Sequence, residues 1–275
     1  MNTIIAIPVF NEANHVHAVL EEVRKYANRI LVIDDGSTDD TSKKLDQESG
    51  IERITHEKNK GYGAALISAF EYSLSHNADI LITMDCDGQH EPSRIPVLLE
   101  AIDHADIVSG SRYLRDFRQD NSAPEDRKRI NTLITKELNV RYGLQVTDAF
   151  CGFKAYNCSA IAKFQITETS WGMPLELWVQ AAYYNMKIQE VAVPRLYIDP
   201  NRTFGAVLDD SAKRLAYYRK VLVQAEEQLS WHGINPSGSF TFDSILSAKK
   251  PYLDFAAGIP AIGIPLGSDR VLHPE

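Results

Sequence analysis

The chain has 275 residues, of which 44% are hydrophobic and 24% charged; this composition is typical of a soluble globular protein. Its formal net charge of −8 argues against nucleic acid as a primary partner, because nucleic-acid-binding proteins present a basic face. The apolar stretch 255–267 is too short to span a bilayer, and the N-terminus lacks the basic region of a signal peptide. Three cysteines match neither a disulfide framework nor a zinc site. We therefore expect a cytoplasmic protein with reduced thiols.

Strand and helix patterns alternate over the first 112 residues. Short β-rich runs predict five strands, at residues 3–9, 29–35, 51–57, 79–85 and 105–111. Apolar spacing and cap-type residues predict the helices between them, at residues 12–27, 37–49, 61–77 and 91–103. Strands separated by helices of this length indicate an α/β fold, a Rossmann-like, mostly parallel sheet with helices on both faces.

The regular alternation of strand and helix patterns ends after residue 112. The charged stretch 114–129 is interpreted as a surface loop leading into a helix, and residues 146–157 as a loop with a short strand. The later predicted elements are helices at 130–143, 174–185 and 209–231 and a strand at 187–198. No regular element is predicted after Gly233. The chain thus divides into residues 1–112, a second half of the same domain at 113–230, and an irregular tail at 231–275.

Polar and acidic residues cluster where the predicted strands end. They are Asn11 and Glu12 after the first strand, Asp34 and Asp35 after the second, Asp85 and Asp87 at the fourth, and Arg112 after the fifth. Ligands of open parallel sheets bind beyond the carboxyl ends of the strands, so we expect one shared crevice. Two carboxylates one residue apart in a strand point to the same side and repel each other, which a divalent cation would offset. Oxygen ligands favour Mg²⁺ or Mn²⁺, commonly together with substrate phosphates.

Six motifs carry a family resemblance. In chain order they are "PVFNE" (8–12), "VIDDGSTDDT" (32–41), "NKGYGAAL" (59–66), "DCDGQH" (85–90), "GSRY" (110–113) and "DAFCGFKAY" (148–156). Their order resembles that of family-2 glycosyltransferases of GT-A fold, and is most similar to the polyprenyl-phosphate, dolichyl-phosphate mannose synthase-like branch. The resemblance spans about residues 3–215 and is specific as a group, whereas no single motif would suffice.

The resemblance implies a hexosyltransferase that takes a sugar from a GDP- or UDP-linked donor, with inversion, and passes it to a phosphate or hydroxyl acceptor, among them a polyprenyl phosphate. Residues 1–112 would then bind the nucleotide sugar and residues 113–230 the acceptor. The implied donor-binding residues are Pro8, Phe10, Glu12, Asp35, Asp85, Arg112 and Arg129, the last representing the basic run "DRKR". The implied ligands of Mg²⁺ or Mn²⁺ are Asp85, Asp87 and Gln89.

The resemblance also implies catalytic roles. Asp87 would hold the metal against the departing diphosphate, and Arg202 of "NRTFG", with Arg112, would meet phosphate oxygens. A phosphate acceptor is already anionic and needs no base, whereas a hydroxyl acceptor does. Asp148 and Glu176 are the candidate bases. Their structural alternatives are a brace for the turn at 151–156 and a first-turn helix carboxylate, respectively.

Structural interpretations compete at several of these positions. Asp34 and Asp35 alone are more typical of caps for the following helix. Gly61 and Gly63 are more typical of a turn than of a phosphate cradle. His90 could ligate metal, although a lone histidine is usually a surface residue. Cys86 is expected to point into the core.

Three further alternatives concern the whole protein. "LITMDCDG" (81–88) also resembles the first motif of haloacid-dehalogenase-type phosphatases, in which Asp85 would be a nucleophile; the upstream motifs would then have no role. The second alternative is a protein that binds a nucleotide sugar without turning it over. The complete set of implied metal ligands argues against it, because an inactive relative usually loses these residues first. The third concerns membranes: many relatives carry C-terminal transmembrane helices, and none is predicted here. The helix at 211–229 could lie on anionic lipid, although such an apolar stripe more commonly packs on its own domain.

Overall fold

The computed structural model describes residues 1–121, 123–198, 203–205 and 207–231. Within these residues the strands are β1 Thr3–Val9, β2 Ile30–Asp34, β3 Glu52–Thr55, β4 Ile80–Thr83, β5 Ile107–Ser111, β6 Lys154–Asn157 and β7 Ile188–Ala192. The helices are α1 Val16–Val23, α2 Thr41–Leu45, α3 Tyr62–Ser75, α4 Ile95–Ile102, α5 Glu125–Tyr142, α6 Cys158–Ile161, α7 Met173–Tyr183 and α8 Ser211–Trp231, with a 3₁₀ turn at Pro92–Arg94 before α4. The predicted irregular tail, from residue 232 onward, lies outside the described residues.

The seven strands form one sheet in the order β3-β2-β1-β4-β6-β5-β7. β6 runs antiparallel to both of its neighbours, β4 and β5, and the other pairs are parallel. The predicted mostly parallel α/β sheet is therefore confirmed. The chain order reverses between β1 and β4, and such a reversal opens a ligand crevice at the carboxyl ends of the two strands.

Apolar layers cover both faces of the sheet. Along β1, Ile4 and Ala6 belong to the layer formed with α3, α5, α7 and α8, whereas Ile5 and Ile7 belong to the layer formed with α1 and α4. Successive side chains of a strand point to opposite faces, so a strand that is buried on both sides must be apolar at every position. This requirement explains the continuous apolar runs of the sequence.

Helix α8 packs on the rest of the domain. Its residues Tyr218, Val221 and Leu222 are buried in the core, and Arg214 and Arg219 form ion pairs with carboxylates of α5. The favoured interpretation of this helix is thus confirmed, because its apolar stripe is already covered. In the part of the chain that the structure describes, no helix is long and apolar enough to cross a membrane.

Two predicted boundaries are wrong in ways that affect the site. β4 ends at Thr83 and not at Asp85, so the two aspartates lie in the loop after the strand and strand alternation does not orient them. Helix α5 begins at Glu125, within the stretch interpreted as a loop. Pro124 before it and Glu125 and Asp126 in its first turn are start signals that outweigh the lack of apolar residues.

Candidate active site

Asp85 lies just beyond the carboxyl end of β4, where three groups surround its carboxylate. The Tyr62 hydroxyl donates a hydrogen bond to Oδ1 at 3.1 Å, and Nε2 of His90 lies 3.8 Å from Oδ2. On a third side is the backbone of Gly152, where a Cβ would lie only 2.6 Å and 2.7 Å from the two carboxylate oxygens. The side chain of Asp85 nevertheless stays 28% exposed. The carboxylate is therefore restrained on three sides and remains partly accessible to solvent.

Asp87 and Gln89 form a small hydrogen-bonded unit in the same loop. The backbone N–H of Gln89 donates to Asp87 Oδ1 at 3.0 Å, and its side-chain amide donates to Asp87 Oδ2 at 2.9 Å. Gly88 between them adopts a φ of +74°, a conformation that glycine allows without strain. The predicted pair of Asp87 and Gln89 is thus brought together, with the amide acting as a donor to the carboxylate.

Asp34 has a structural role. It is fully buried and accepts hydrogen bonds from the Ser37 backbone and the Ser42 hydroxyl, with the Arg53 guanidinium 2.8 Å away. Burial raises the pKa of Asp34, but these hydrogen bonds outweigh that effect and lower it below its usual value. Asp34 therefore ties the β2–α2 loop to β3.

Asp35 joins the end of β2 to the start of α3. Its carboxylate accepts the backbone N–H groups of Lys60 and Gly61, each at 2.9 Å, and lies 2.6 Å from Nδ1 of His56. These two N–H groups precede Tyr62, the first residue of α3, so Asp35 holds the turn before α3, and the expected cap role on α2 is wrong.

Gly61 and Gly63 allow two backbone segments to approach each other. A Cβ at either position would lie 2.4 Å from a carbonyl oxygen of residues 168–169, and the Ala64 N–H donates to the Thr169 carbonyl. Close packing against this segment explains the two glycines, which favours the turn interpretation over a phosphate cradle.

Three of the four implied nucleoside-binding residues lie at or just after the end of β1, whereas Asp35 follows β2. Pro8 pairs in register with Ile33 of β2, the Phe10 side chain is 41% exposed, and the buried Glu12 carboxylate contacts Nδ1 of His15 at 2.8 Å. An apolar ring exposed at the edge of the crevice provides a flat surface next to the buried polar groups. The loops after β1 and β2 are linked further by Asn11, whose side-chain oxygen accepts the Thr38 N–H.

Comparison with known proteins identifies the family. Residues 4–164 match the model of the family described as glycosyl transferase family 2. The chain belongs to this family. It is therefore a glycosyltransferase, and the phosphatase interpretation of residues 81–88 is excluded together with the non-enzyme alternative.

Curated relatives of this glycosyltransferase include enzymes of lipid-linked sugars. It is 30% identical over 202 residues to the undecaprenyl-phosphate mannosyltransferase of Micrococcus luteus, a match that covers 70% of this chain and 83% of the relative. It is 28% identical over 222 residues to the UDP-N-acetylglucosamine–dolichyl-phosphate N-acetylglucosaminyltransferase of Methanococcus voltae, with 73% and 88% covered.

Solved structures show the same fold. Glucosyl-3-phosphoglycerate synthase of Mycobacterium tuberculosis, in complex with phosphoglyceric acid, superimposes with a TM-score of 0.63 at 18% identity, covering 86% of this chain and 82% of that one. TarS 1–349 of S. aureus, in complex with UDP-GlcNAc, gives 0.60 at 12% identity, covering 94% and 73%. The fold of this glycosyltransferase is therefore GT-A.

Arg112 and Asp148 form a buried ion pair. Nε and NH2 of Arg112 donate to the two carboxylate oxygens at 2.7 Å and 2.9 Å, and Asn131 and the Phe150 N–H also donate to Oδ1. Burial raises the pKa of Asp148, but the Arg112 guanidinium outweighs that effect and lowers it to about 2. A carboxylate of this acidity is a weak base, so the structure argues against Asp148 as the general base and supports the bracing alternative.

Glu176 is also occupied. It is buried, and its carboxylate accepts the backbone N–H groups of Thr167 and Glu168, the Thr167 hydroxyl and the Gln180 side-chain amide. Desolvation raises its pKa, against the effect of these hydrogen bonds. The carboxylate holds the segment before α7 in place, which argues against a role as base and agrees with its expected position in the first turn of the helix.

The remaining predicted arginines lie farther along the chain. Arg129 is exposed on α5, and its guanidinium lies 3.5 Å from the Ser211 hydroxyl at the start of α8. Arg127 is less exposed, with its guanidinium 4.7 Å from the centre of the Phe204 ring. Arg202 lies outside the described residues.

One correction, one confirmed prediction and one omission concern residues next to Asp85. His90 is buried, at 8% exposure, and is not the surface residue expected of a lone histidine. Cys86 is buried as predicted. Sequence reasoning missed Tyr62, although it lies in the quoted motif "NKGYGAAL"; its ring stacks on Trp171 at 5.3 Å, and both burial and the Asp85 carboxylate raise the pKa of its hydroxyl.

Proposed function

We propose that this glycosyltransferase moves a sugar from a GDP- or UDP-linked donor to a polyprenyl phosphate, with inversion at the anomeric carbon. The observation that carries the choice of acceptor is the engagement of both candidate bases, Asp148 and Glu176, in structural contacts. A phosphate oxygen is anionic near neutral pH and attacks without a base, whereas a hydroxyl acceptor needs one for a rate gain of about 10²–10⁴. The names of the curated relatives support the same acceptor class.

The donor occupies the crevice at the chain reversal between β1 and β4. Phe10 and Glu12 follow β1, Asp35 follows β2, and Asp85 and Asp87 follow β4, so all five lie at the same edge of the sheet. Pro8 and Phe10 contact the nucleoside, and Glu12 and Asp35 offer acceptors to its polar groups. The diphosphate then extends toward the loop after β4.

The residues of that loop fit a Mg²⁺ or Mn²⁺ ion. Asp85 and Asp87 supply carboxylate oxygens, and Gln89 holds Asp87 in place and offers an amide oxygen. Among the described residues, no group of three or more His, Cys, Asp or Glu side chains is arranged to hold a metal. Mg²⁺ usually takes one or two carboxylates and completes its shell with water and substrate phosphates. When bound, such an ion offsets charge on the departing diphosphate.

The protein's cations bind and orient the phosphates. Arg112 is fixed along one edge by Asp148, and the opposite NH1 group points toward the Tyr197 hydroxyl at 3.5 Å. The neighbouring carboxylate, acting against burial, raises the pKa of Arg112 well above its usual value, so the guanidinium stays charged. Together with Arg129 and Arg202 it meets the oxygens of the donor or acceptor phosphate, for which the planar fork of arginine is suited.

A thermal-shift panel of UDP and GDP, each with and without Mn²⁺, tests the donor site. A ligand at a hundredfold excess over its Kd stabilises a protein by about 2.7 kcal/mol. We expect a Mn²⁺-dependent shift with one of the two nucleotides, lost in Asp87→Ala and kept in the control Asp103→Ala, which changes an exposed aspartate at the end of α4. Absence of a shift with either nucleotide would contradict the proposed donor site.

A further inference from the structure

His90 contacts Asp85 at two points. Nδ1 of its ring accepts the backbone N–H of Asp85 at 3.0 Å, which leaves Nε2 to carry the proton, 3.8 Å from Oδ2 of the same residue. One imidazole thus contacts both the main chain and the carboxylate of a single aspartate. The two residues are five positions apart, so the contact closes the loop that contains Asp87 and Gln89.

The His90 ring is itself held by packing. It is 8% exposed and stacks on Phe153, with the ring centres 5.3 Å apart and an angle of 26° between their planes. Phe153 is fully buried in the layer that α1 and α4 cover. A ring held in this way keeps Nε2 at a fixed position, 3.8 Å from Oδ2 of the partly exposed carboxylate.

Two other neighbours restrict the Asp85 carboxylate, one by a hydrogen bond to Oδ1 and one by backbone packing against both oxygens. Tyr62 donates to Oδ1, and Gly152 lies against the side chain through its backbone. His90 is the side chain that the structure pairs with Oδ2, at 3.8 Å. Groups that orient a ligating carboxylate are commonly worth 10–100-fold in metal affinity, because the free side chain would otherwise sample other rotamers.

We infer that His90 is a positioning residue of the donor site: Nδ1 fixes the backbone of Asp85, and Nε2–H orients its carboxylate toward the metal and the donor diphosphate. The inference rests on the proposed function, because it takes the Asp85 carboxylate to be the group that binds the metal. It assigns the imidazole no contact with substrate.

The two contacts can be separated with amide side chains. The asparagine side-chain oxygen can occupy the position of Nδ1 and accept the Asp85 N–H, whereas the glutamine amide nitrogen reaches the position of Nε2 and can donate to the carboxylate. His90→Asn and His90→Gln therefore each retain one contact, and His90→Ala retains neither. His104→Ala is the matched control, because His104 is exposed at the end of α4.

The experiment measures binding of Mn²⁺ with UDP, and of Mn²⁺ with GDP, by titration calorimetry in the absence of any acceptor, together with the Tm of each free protein. We expect His90→Ala to weaken binding of the preferred pair about 10–100-fold. His90→Gln should recover most of the affinity, whereas His90→Asn should recover mainly the Tm. His104→Ala should match the wild type in both.

Two results would overturn this inference and leave the proposed donor site intact. One is wild-type affinity in His90→Ala; the other is an affinity that changes in parallel with Tm, so that His90→Asn recovers both the affinity and the Tm. The second result would indicate a role in folding only. If the wild type binds neither nucleotide with Mn²⁺, the proposed donor site fails and the inference fails with it, so the two failures are distinguishable.

Discussion

At the residue scale, the central electrostatic feature of the site is the pair of Arg112 and Asp148. Thirty-six positions separate the two residues in the chain. Their side chains meet because Arg112 follows β5 and Asp148 lies in the segment before β6, the strand that pairs with β5. The sequence pattern predicts Arg112 just after its strand and leaves two roles open for Asp148, a general base or a brace for the turn at 151–156. It does not predict that the two side chains pair, because the pairing depends on the position of β6, which no local pattern encodes. The same reason applies to His90, whose burial depends on Phe153.

The ion pair predicts how stability varies with pH. The pKa of Asp148 is about 2 in the folded protein and about 3.9 in an unfolded chain. Its stabilising contribution is therefore complete above about pH 4 and is lost as the pH falls through about 2, by an amount on the order of 2–3 kcal/mol.

Urea denaturation between about pH 5 and pH 2 measures this contribution. The control is the double variant Arg112→Met with Asp148→Asn, which removes both charges and leaves neither unpaired. The wild type should lose more free energy of unfolding over this range than the double variant. Parallel curves for the two proteins would contradict the assigned pair.

At the element scale, β6 explains what the sequence pattern could not reveal. A short strand was expected near residues 146–157, and β6 is found at Lys154–Asn157, but it inserts antiparallel between β4 and β5. Alternating strand and helix patterns predict parallel neighbours and carry no information on such an insertion. Its position brings Gly152 against Asp85 and buries Lys154 at 2% exposure.

Lys154 should contribute little to folding stability. Its ammonium donates to the Cys151 carbonyl and lies 5.4 Å from the centre of the Trp178 ring, while burial lowers its pKa. Taking an ammonium out of water costs several kcal/mol, and Lys154→Met removes that cost together with the contacts that offset it. Lys154→Met should therefore leave the free energy of unfolding unchanged or raise it, as measured by urea denaturation. A loss of about 3 kcal/mol or more would show that the buried ammonium holds the fold together.

Helix α8 offers adjacent positions for testing its packing. Leu222 is fully buried, whereas Val223 is 43% exposed. Leu222→Ala should cost about 2–5 kcal/mol, because it leaves a cavity in the core, and Val223→Ala should change stability by about 0.5 kcal/mol or less. Equal, small effects in urea denaturation would mean that α8 does not pack on the domain as described.

At the scale of the whole molecule, the sheet and its crevice could be predicted from the continuous apolar runs and from the alternation of strand and helix patterns. The boundaries of β1 are as predicted, because a strand buried on both faces must be apolar throughout. The clustering of Asp35, Asp85 and Asp87 at one edge follows from the parallel strands that precede them. Which carboxylates are free to act does not follow, because it depends on long-range partners such as Arg112. The donor base and sugar depend on pocket shape, which residue spacing does not encode.

The most direct test of the proposed function is the transfer reaction itself. The protein is incubated with Mn²⁺, a radiolabelled nucleotide sugar of the base selected by the thermal-shift panel, and either a short polyprenyl phosphate or the corresponding polyprenol. We predict labelled lipid with the phosphate only. Loss of metal binding in Asp87→Ala removes several kcal/mol of charge stabilisation, which corresponds to a rate loss on the order of 10²–10³. Equal transfer to the polyprenol, or no transfer to the polyprenyl phosphate by a wild-type protein that binds the donor, would contradict the proposal.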